Sequence, residues 1–170
     1  MLIVTFRGGI VELYGKTFSV GEYAPSVSLI GRDLESVQVG GAQDKIQIIN
    51  VVPSLDTGVC AEQIRNFNQK AASMPNVKVF GVSMDLPFAQ KRFCSTEGIE
   101  NVTAVSDYVK KEFGKTYGLL LENSPLEGLL TRAVIMVDTN GKIIYQEICP
   151  EITKEPNYDA ALFALKKFTK

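Results

Sequence analysis

The run Pro53-Ser54-Leu55-Asp56-Thr57-Gly58-Val59-Cys60 places a lone thiol just past a turn, after an apolar run and before a helical pattern. The apolar run Ile46–Val52 reads as a buried strand, and Pro53 removes a backbone donor and ends it. Beyond it Cys60, Ile64, Phe67 and Ala71 recur at helical spacing on one face, which sets Cys60 in the first turn of a helix. Unpaired amides and the positive end of the helix dipole favour thiolate over thiol at such a position. The same stripe is also what an inert core cysteine would occupy, because free cysteine is among the most buried residue types. Three neighbours argue for chemistry instead. Pro53 can wall off water, Thr57 offers a hydroxyl, and Gly58 lets backbone approach a small ligand, so that together they form a donor-lined cup around one sulfur.

Elimination narrows what that sulfur can do. The chain has no histidine, which excludes Ser-His-Asp and Cys-His pairs, imidazole as a general base and every His-ligated metal centre. It also lacks a CxxC dithiol, a G-x-x-x-x-G-K-[ST] phosphate loop and a G-x-G-x-x-G turn, so no metal or cofactor is expected. Cys60, Cys94 and Cys149 are too few and too unevenly spaced for a disulfide scaffold. The net charge of -1, with no clustered basic run, argues against nucleic acid as the main partner. No apolar stretch approaches a membrane span, and the opening Met1–Arg7 does not resemble a signal peptide, so a cytoplasmic location is expected.

The elements that must position the thiol follow from periodicity and turn chemistry. Ile3–Phe6 and Ile10–Tyr14 flank Arg7-Gly8-Gly9 as a hairpin, and Ser26–Leu29 with Ser36–Val39 form a second strand pair. Strand Ile46–Val52, helix Val59–Ala72, strand Val77–Val82, helix Pro87–Ser95 and strand Thr103–Ser106 then give a β-α-β-α-β rhythm with parallel strands. Strands Ala133–Asp138 and Ile143–Tyr145, joined through Asn140-Gly141, should close one end of the sheet as an antiparallel hairpin. A helix over Tyr158–Leu165 ends near Lys166, Lys167 and Lys170, which suit its negative dipole end. Residues 114–125 read as loop. With 170 residues and no linker, one domain over 1–170 is expected. The order fits an α/β class, a thioredoxin-like sandwich with an N-terminal β-hairpin extension.

The second cysteine brings a family into view. Asp85-Leu86-Pro87 reads as a helix start, with Asp85 as its cap, and Cys94 falls near that helix's end, where alone it reads as core. Yet Ser83-Met84-Asp85-Leu86-Pro87-Phe88-Ala89-Gln90-Lys91-Arg92-Phe93-Cys94 resembles the signature of the bacterial thiol peroxidases, the atypical 2-Cys branch of the peroxiredoxins. Pro53-x-x-x-Thr57-x-x-Cys60 resembles the peroxiredoxin active-site pattern, and the likeness runs over nearly the whole chain. The resemblance implies that Cys60 is the peroxidatic cysteine, that Thr57 and Pro53 shape its pocket, and that Cys94 resolves it within the same subunit. Arg132, in Leu129-Leu130-Thr131-Arg132-Ala133, matches the family's active-site arginine; alone it would read as a solvated charge at a strand edge. Also implied are hydroperoxide substrates, reduction by thioredoxin and a homodimer. Cys149 has no counterpart in that pattern and reads as a structural thiol on a strand.

An unperturbed thiol, with pKa about 8.5, is already a few per cent ionised at neutral pH, so ionisation alone gains at most about 30-fold. The larger share of any peroxidase rate must come from orienting the O–O bond and stabilising the leaving oxygen. Two other readings stay open at this level: a redox sensor that shares only the first step, and a thioredoxin-like binding domain with inert thiols.

Overall fold

In the computed structural model, which describes residues 2–71 and 74–169, Ile46–Val51 is buried at every position and pairs on both sides. A run this apolar needs both faces covered, which places it at the centre of a sheet with layers above and below. In chain order the strands are β1 (Ile3–Phe6), β2 (Gly9–Leu13), β3 (Val27–Gly31), β4 (Ser36–Val39), β5 (Ile46–Val51), β6 (Val77–Ser83), β7 (Val102–Ser106), β8 (Leu121–Glu122), β9 (Ala133–Val137) and β10 (Ile143–Ile148). The helices are α1 (Gly58–Ala71), α2 (Pro87–Glu97), α3 (Glu112–Tyr117) and α4 (Tyr158–Lys166). The side chain of Ala71, together with Ala72 and Lys170, falls outside the described residues.

The main sheet has the order β10-β9-β5-β6-β7-β3-β4. β5, β6 and β7 are parallel, as the two helical crossovers require, while β9 and β10 close one edge antiparallel and β3 and β4 the other. Alternation along β5 sorts the core. Ile46 and Ile48 face Ile64, Phe67, Ala161 and Leu165 of α1 and α4, while Ile49 and Val51 face Phe113 and Tyr117 of α3. Asn50 and Gln47 are the polar residues of this strand, and both are fully buried. Gln47 is satisfied by accepting from the Gly40 amide at 2.8 Å and donating to the Gly41 carbonyl at 2.9 Å.

Three local readings need correction. The segment read as loop from residue 114 includes most of α3 and all of β8. The β9–β10 hairpin forms through Asn140-Gly141 as expected, with Gly141 at a positive φ of 88°. Its Asp138 Oδ1 accepts the Asn140 and Lys142 amides, each at 2.9 Å. Cys149 directly follows β10 and does not lie on it. Asp85 does not cap α2, whose N-cap is Leu86 with no side-chain bond.

The N-terminal hairpin stands apart from the main sheet and pairs through β2 with β8, enclosing Val4, Val11, Leu13, Leu121 and Ile152. Glu151 latches it. Its carboxylate accepts the Gly8 amide at 2.9 Å, the Thr5 hydroxyl at 3.1 Å and the Thr153 amide at 2.8 Å, bonds that hold the group down to about 2. A folded value below the unfolded one gives stability that is complete above the ordinary carboxyl range and is lost as pH falls toward about 2. The Gly8 amide of the wild type should therefore stay protected from exchange at pH 5 and lose protection as pH falls toward about 2, and Glu151→Gln should lose that protection at both. Equal protection in the two proteins at pH 5 would contradict the latch. Among the described residues, no helix is long and apolar enough to cross a membrane.

Candidate active site

Pro53 ends β5, and the chain turns through Ser54–Thr57 into α1, so Cys60 is the third residue of that helix. Thr57 occupies the cap position: its hydroxyl oxygen accepts the Cys60 amide at 3.3 Å and donates its own hydrogen to the Ser54 carbonyl at 3.3 Å. The hydroxyl expected to face a substrate is thus first a brace for the turn. Asp85, reaching from the end of β6, fixes the same turn from beneath. It accepts the Ser54 hydroxyl at 2.9 Å, the Leu55 amide at 2.7 Å and the Ser83 hydroxyl at 2.8 Å. Pro53 is buried while Thr57 and Gly58 are exposed, so the chain passes from the surface into the core within the first turn of α1, and Cys60 is itself fully buried.

Arg132 lies one residue before β9, beside the end of β5, because Ala133 pairs with Val51 in the register of those strands. Its Nη2 donates to Cys60 Sγ at 3.2 Å. The guanidinium is only 2% exposed and is held by every other edge: Nε donates to the Ile152 carbonyl at 2.7 Å and Nη1 to Gln63 Oε1 at 3.1 Å. Gln63 is fixed in turn by donating from Nε2 to Asn50 Oδ1 at 3.2 Å and to the Ala133 carbonyl at 3.4 Å. Among the described residues, no carboxylate lies within ion-pair distance of Arg132. A buried cation needs polar partners, and the group that faces the remaining edge of Arg132 is the Cys60 sulfur.

Cys94, on α2, is 2% exposed and belongs to the same apolar cluster as Cys60, and all three cysteines are free. Its carbonyl ends the helix by accepting the amides of Gly98, which is left-handed with φ 65°, and of Ile99, the latter at 2.8 Å. Burial pushes its thiol up, and the Arg32 guanidinium opposes that. Cys149 is buried too, and is pushed up to about 12 by burial and the Glu147 charge, with Arg132 acting in the opposite sense.

Similarity to known proteins gives the family of the chain. Residues 19–162 match the Redoxin family model. A thiol peroxidase of Campylobacter jejuni is 52% identical over 157 residues, covering 92% of this chain and 89% of the relative. One from Aquifex aeolicus is 46% identical, covering 96% of both chains. The chain belongs to the thiol peroxidase family. Its fold superposes on the crystal structure of a peroxiredoxin-like protein from Aquifex aeolicus with a TM-score of 0.93 at 45% identity, covering 97% of this chain and 96% of the other. A thiol peroxidase from Chromobacterium violaceum, at 21% identity and a TM-score of 0.87 over 97% of this chain and 95% of its own, shares the thioredoxin-like peroxiredoxin fold.

Of the residues singled out in the sequence, the fold joins Cys60, Thr57 and Arg132 by direct hydrogen bonds and sets Pro53 in the same turn. Cys94 shares their core cluster but is not bonded to Cys60. Gln63, Asn50 and Asp85 escaped as site residues, although the first two carry a signal. Gln63 sits three residues after Cys60 on the buried face of α1, and Asn50 interrupts an otherwise apolar strand; polar residues at such positions need partners.

Proposed function

We propose that Cys60 is the peroxidatic cysteine, that Arg132 is its activating cation, that Thr57 and Pro53 hold the turn over it, and that Cys94 is the resolving cysteine. Membership in the family makes the protein a thiol-dependent peroxidase, an oxidoreductase with an antioxidant role. The observation that carries the residue assignment is the buried guanidinium, 3.2 Å from the Cys60 sulfur and with no carboxylate partner among the described residues.

In the first step the Cys60 thiolate attacks one oxygen of a hydroperoxide. An S–O bond forms, the O–O bond breaks, and the departing oxygen takes a proton and leaves as water or an alcohol, with Cys60 now a sulfenic acid. The donor best placed for the charge developing on oxygen is the Arg132 fork, already rigid before substrate arrives. Cys94 then attacks the Cys60 sulfenic sulfur and water leaves. A disulfide needs its Cα atoms within about 7 Å, and Cys94 is anchored in a capped helix, so the last turn of α2 unwinds for this step. Thioredoxin reduces the Cys60–Cys94 bond by thiol–disulfide exchange.

The whole chain acts as one domain and pairs as a homodimer. Exposed Leu86, Phe88, Tyr108 and Val109, which follow the ends of the neighbouring strands β6 and β7, supply apolar surface for that contact. A reducing cytoplasm suits three unbridged thiols. The test is brief exposure to one equivalent of hydrogen peroxide with a sulfenic-acid trap, followed by peptide mass spectrometry. Cys60 should carry the label first. Label on Cys149 or on methionines while Cys60 stays unmodified would refute the assignment.

A further inference from the structure

The β3–β4 turn reaches over the end of α2, and its role is not explained by the site around Cys60. Leu34 in this turn has φ 68°, a left-handed conformation that a branched L-residue rarely adopts, and its amide donates to the Gly31 carbonyl at 3.0 Å while the Gly31 amide donates to the Glu35 carbonyl at 2.8 Å. Such backbone persists where the surroundings over-determine it. Here the consequence is that Arg32 and Asp33 project toward α2. Asp33 Oδ1 accepts Lys91 Nζ at 3.0 Å, tying turn to helix, and Arg32 and Cys94 line the same groove.

We propose that Arg32 is a positioning residue for the resolving step, the cation that shares this groove with the Cys94 sulfur and steadies the charge it gains as it releases its proton to attack Cys60. The proposal rests on the assignment of Cys94 as the resolving cysteine. Cys94 gives up its S–H proton and its thiolate attacks the sulfenic sulfur of Cys60. The S–S bond forms, the S–O bond breaks, and the departing hydroxide takes a proton and leaves as water, Cys94 being oxidised and Cys60 reduced to the disulfide level. Burial works against the ionised Cys94, and the Arg32 guanidinium acts against that burial both as a charge and as a hydrogen-bond donor. The other charges facing the groove balance one another or stand off: Lys91 is paired with Asp33, Glu97 on the α1 side is paired with Arg65 at 3.1 Å, and Glu100 is exposed at the rim. Among the described residues that line the groove, Arg32 is the cation with no carboxylate ion pair.

The test follows the decay of the trapped sulfenic acid into the intrasubunit disulfide by rapid-quench mass spectrometry across pH, in wild type, Arg32→Gln and Arg32→Lys, with the rate of Cys60 oxidation in the same samples as reference. Arg32→Gln should move the pH midpoint of disulfide formation upward by about one unit and slow the step about tenfold at neutral pH, and Arg32→Lys should restore most of both. A wild-type rate and midpoint in Arg32→Gln would overturn the proposal. So would slowing with an unmoved midpoint that lysine does not rescue, which is the mark of a purely structural contact. If the wild type itself forms no Cys60–Cys94 disulfide, the reading of Cys94 fails and this inference with it.

Discussion

Cys60→Ser should consume no hydroperoxide when coupled to thioredoxin, thioredoxin reductase and a reductant, whereas Cys94→Ser should consume one equivalent per subunit and then stop. A hydroxyl cannot replace the first sulfur, because serine ionises far too weakly to attack the O–O bond. The second sulfur takes no part in that attack, so its loss leaves the first oxidation intact and strands Cys60 as sulfenic acid, open to further oxidation. Rapid mixing with substoichiometric and then excess peroxide separates the two. Continued turnover by Cys94→Ser at the wild-type rate would remove Cys94 from the cycle.

Arg132→Ala should slow the first oxidation by roughly 10² to 10³, the range found when a preorganised donor to developing negative charge is removed, or about 3 to 4 kcal/mol. That exceeds the 30-fold, at most, available from ionisation of an ordinary thiol, so the loss cannot be recovered simply by raising the pH. The same change leaves Gln63 Oε1 and the Ile152 carbonyl without a buried donor, and each such group costs about 1 to 3 kcal/mol. Thermal unfolding should therefore fall as well, and the rate is best compared well below the lowered midpoint. Arg132→Lys keeps the charge but cannot bond sulfur, Gln63 and Ile152 together, so it should recover stability only in part and rate hardly at all. Near-normal peroxide kinetics in Arg132→Ala would show that another group carries the charge of the leaving oxygen.

Elements that declare themselves through their own residues were legible in the sequence. The apolar run of β5, the stripe Cys60-Ile64-Phe67 of α1 and the Pro87 start of α2 each need only local pattern, and the structure places them within a residue or two of expectation. The short α3 is different because its stability comes from elsewhere. Its six residues include Gly114, a poor helix former, and its first amides are held by Asp107, which accepts Phe113 N at 3.0 Å and Gly114 N at 2.8 Å. Glycine is required there by packing: a Cβ on residue 114 would stand 2.7 Å from Leu130 Cδ2. No window of local sequence reports a contact with residue 130.

The site divides along the same line. The spacing of Pro53, Thr57 and Cys60 is a property of one turn and could be read directly, but Arg132 by its own residues reads as a strand-edge charge and is singled out only by the family resemblance, because it is β9 that brings it 3.2 Å from the sulfur. Asp85 shows the limit most plainly. Its position before Leu86-Pro87 suited a helix cap, and tertiary structure spent its carboxylate on Ser54 and Leu55 instead, some thirty residues earlier in the chain.

Ile152 joins two regions that are far apart in sequence. Its carbonyl receives Arg132 Nε at 2.7 Å and its amide donates to the Thr5 carbonyl at 2.8 Å. The N-terminal hairpin is thereby wired, through a single residue, to the guanidinium that faces the Cys60 sulfur. A purification handle fused ahead of β1 would pull on that wire, so turnover numbers from tagged and cleaved preparations belong side by side.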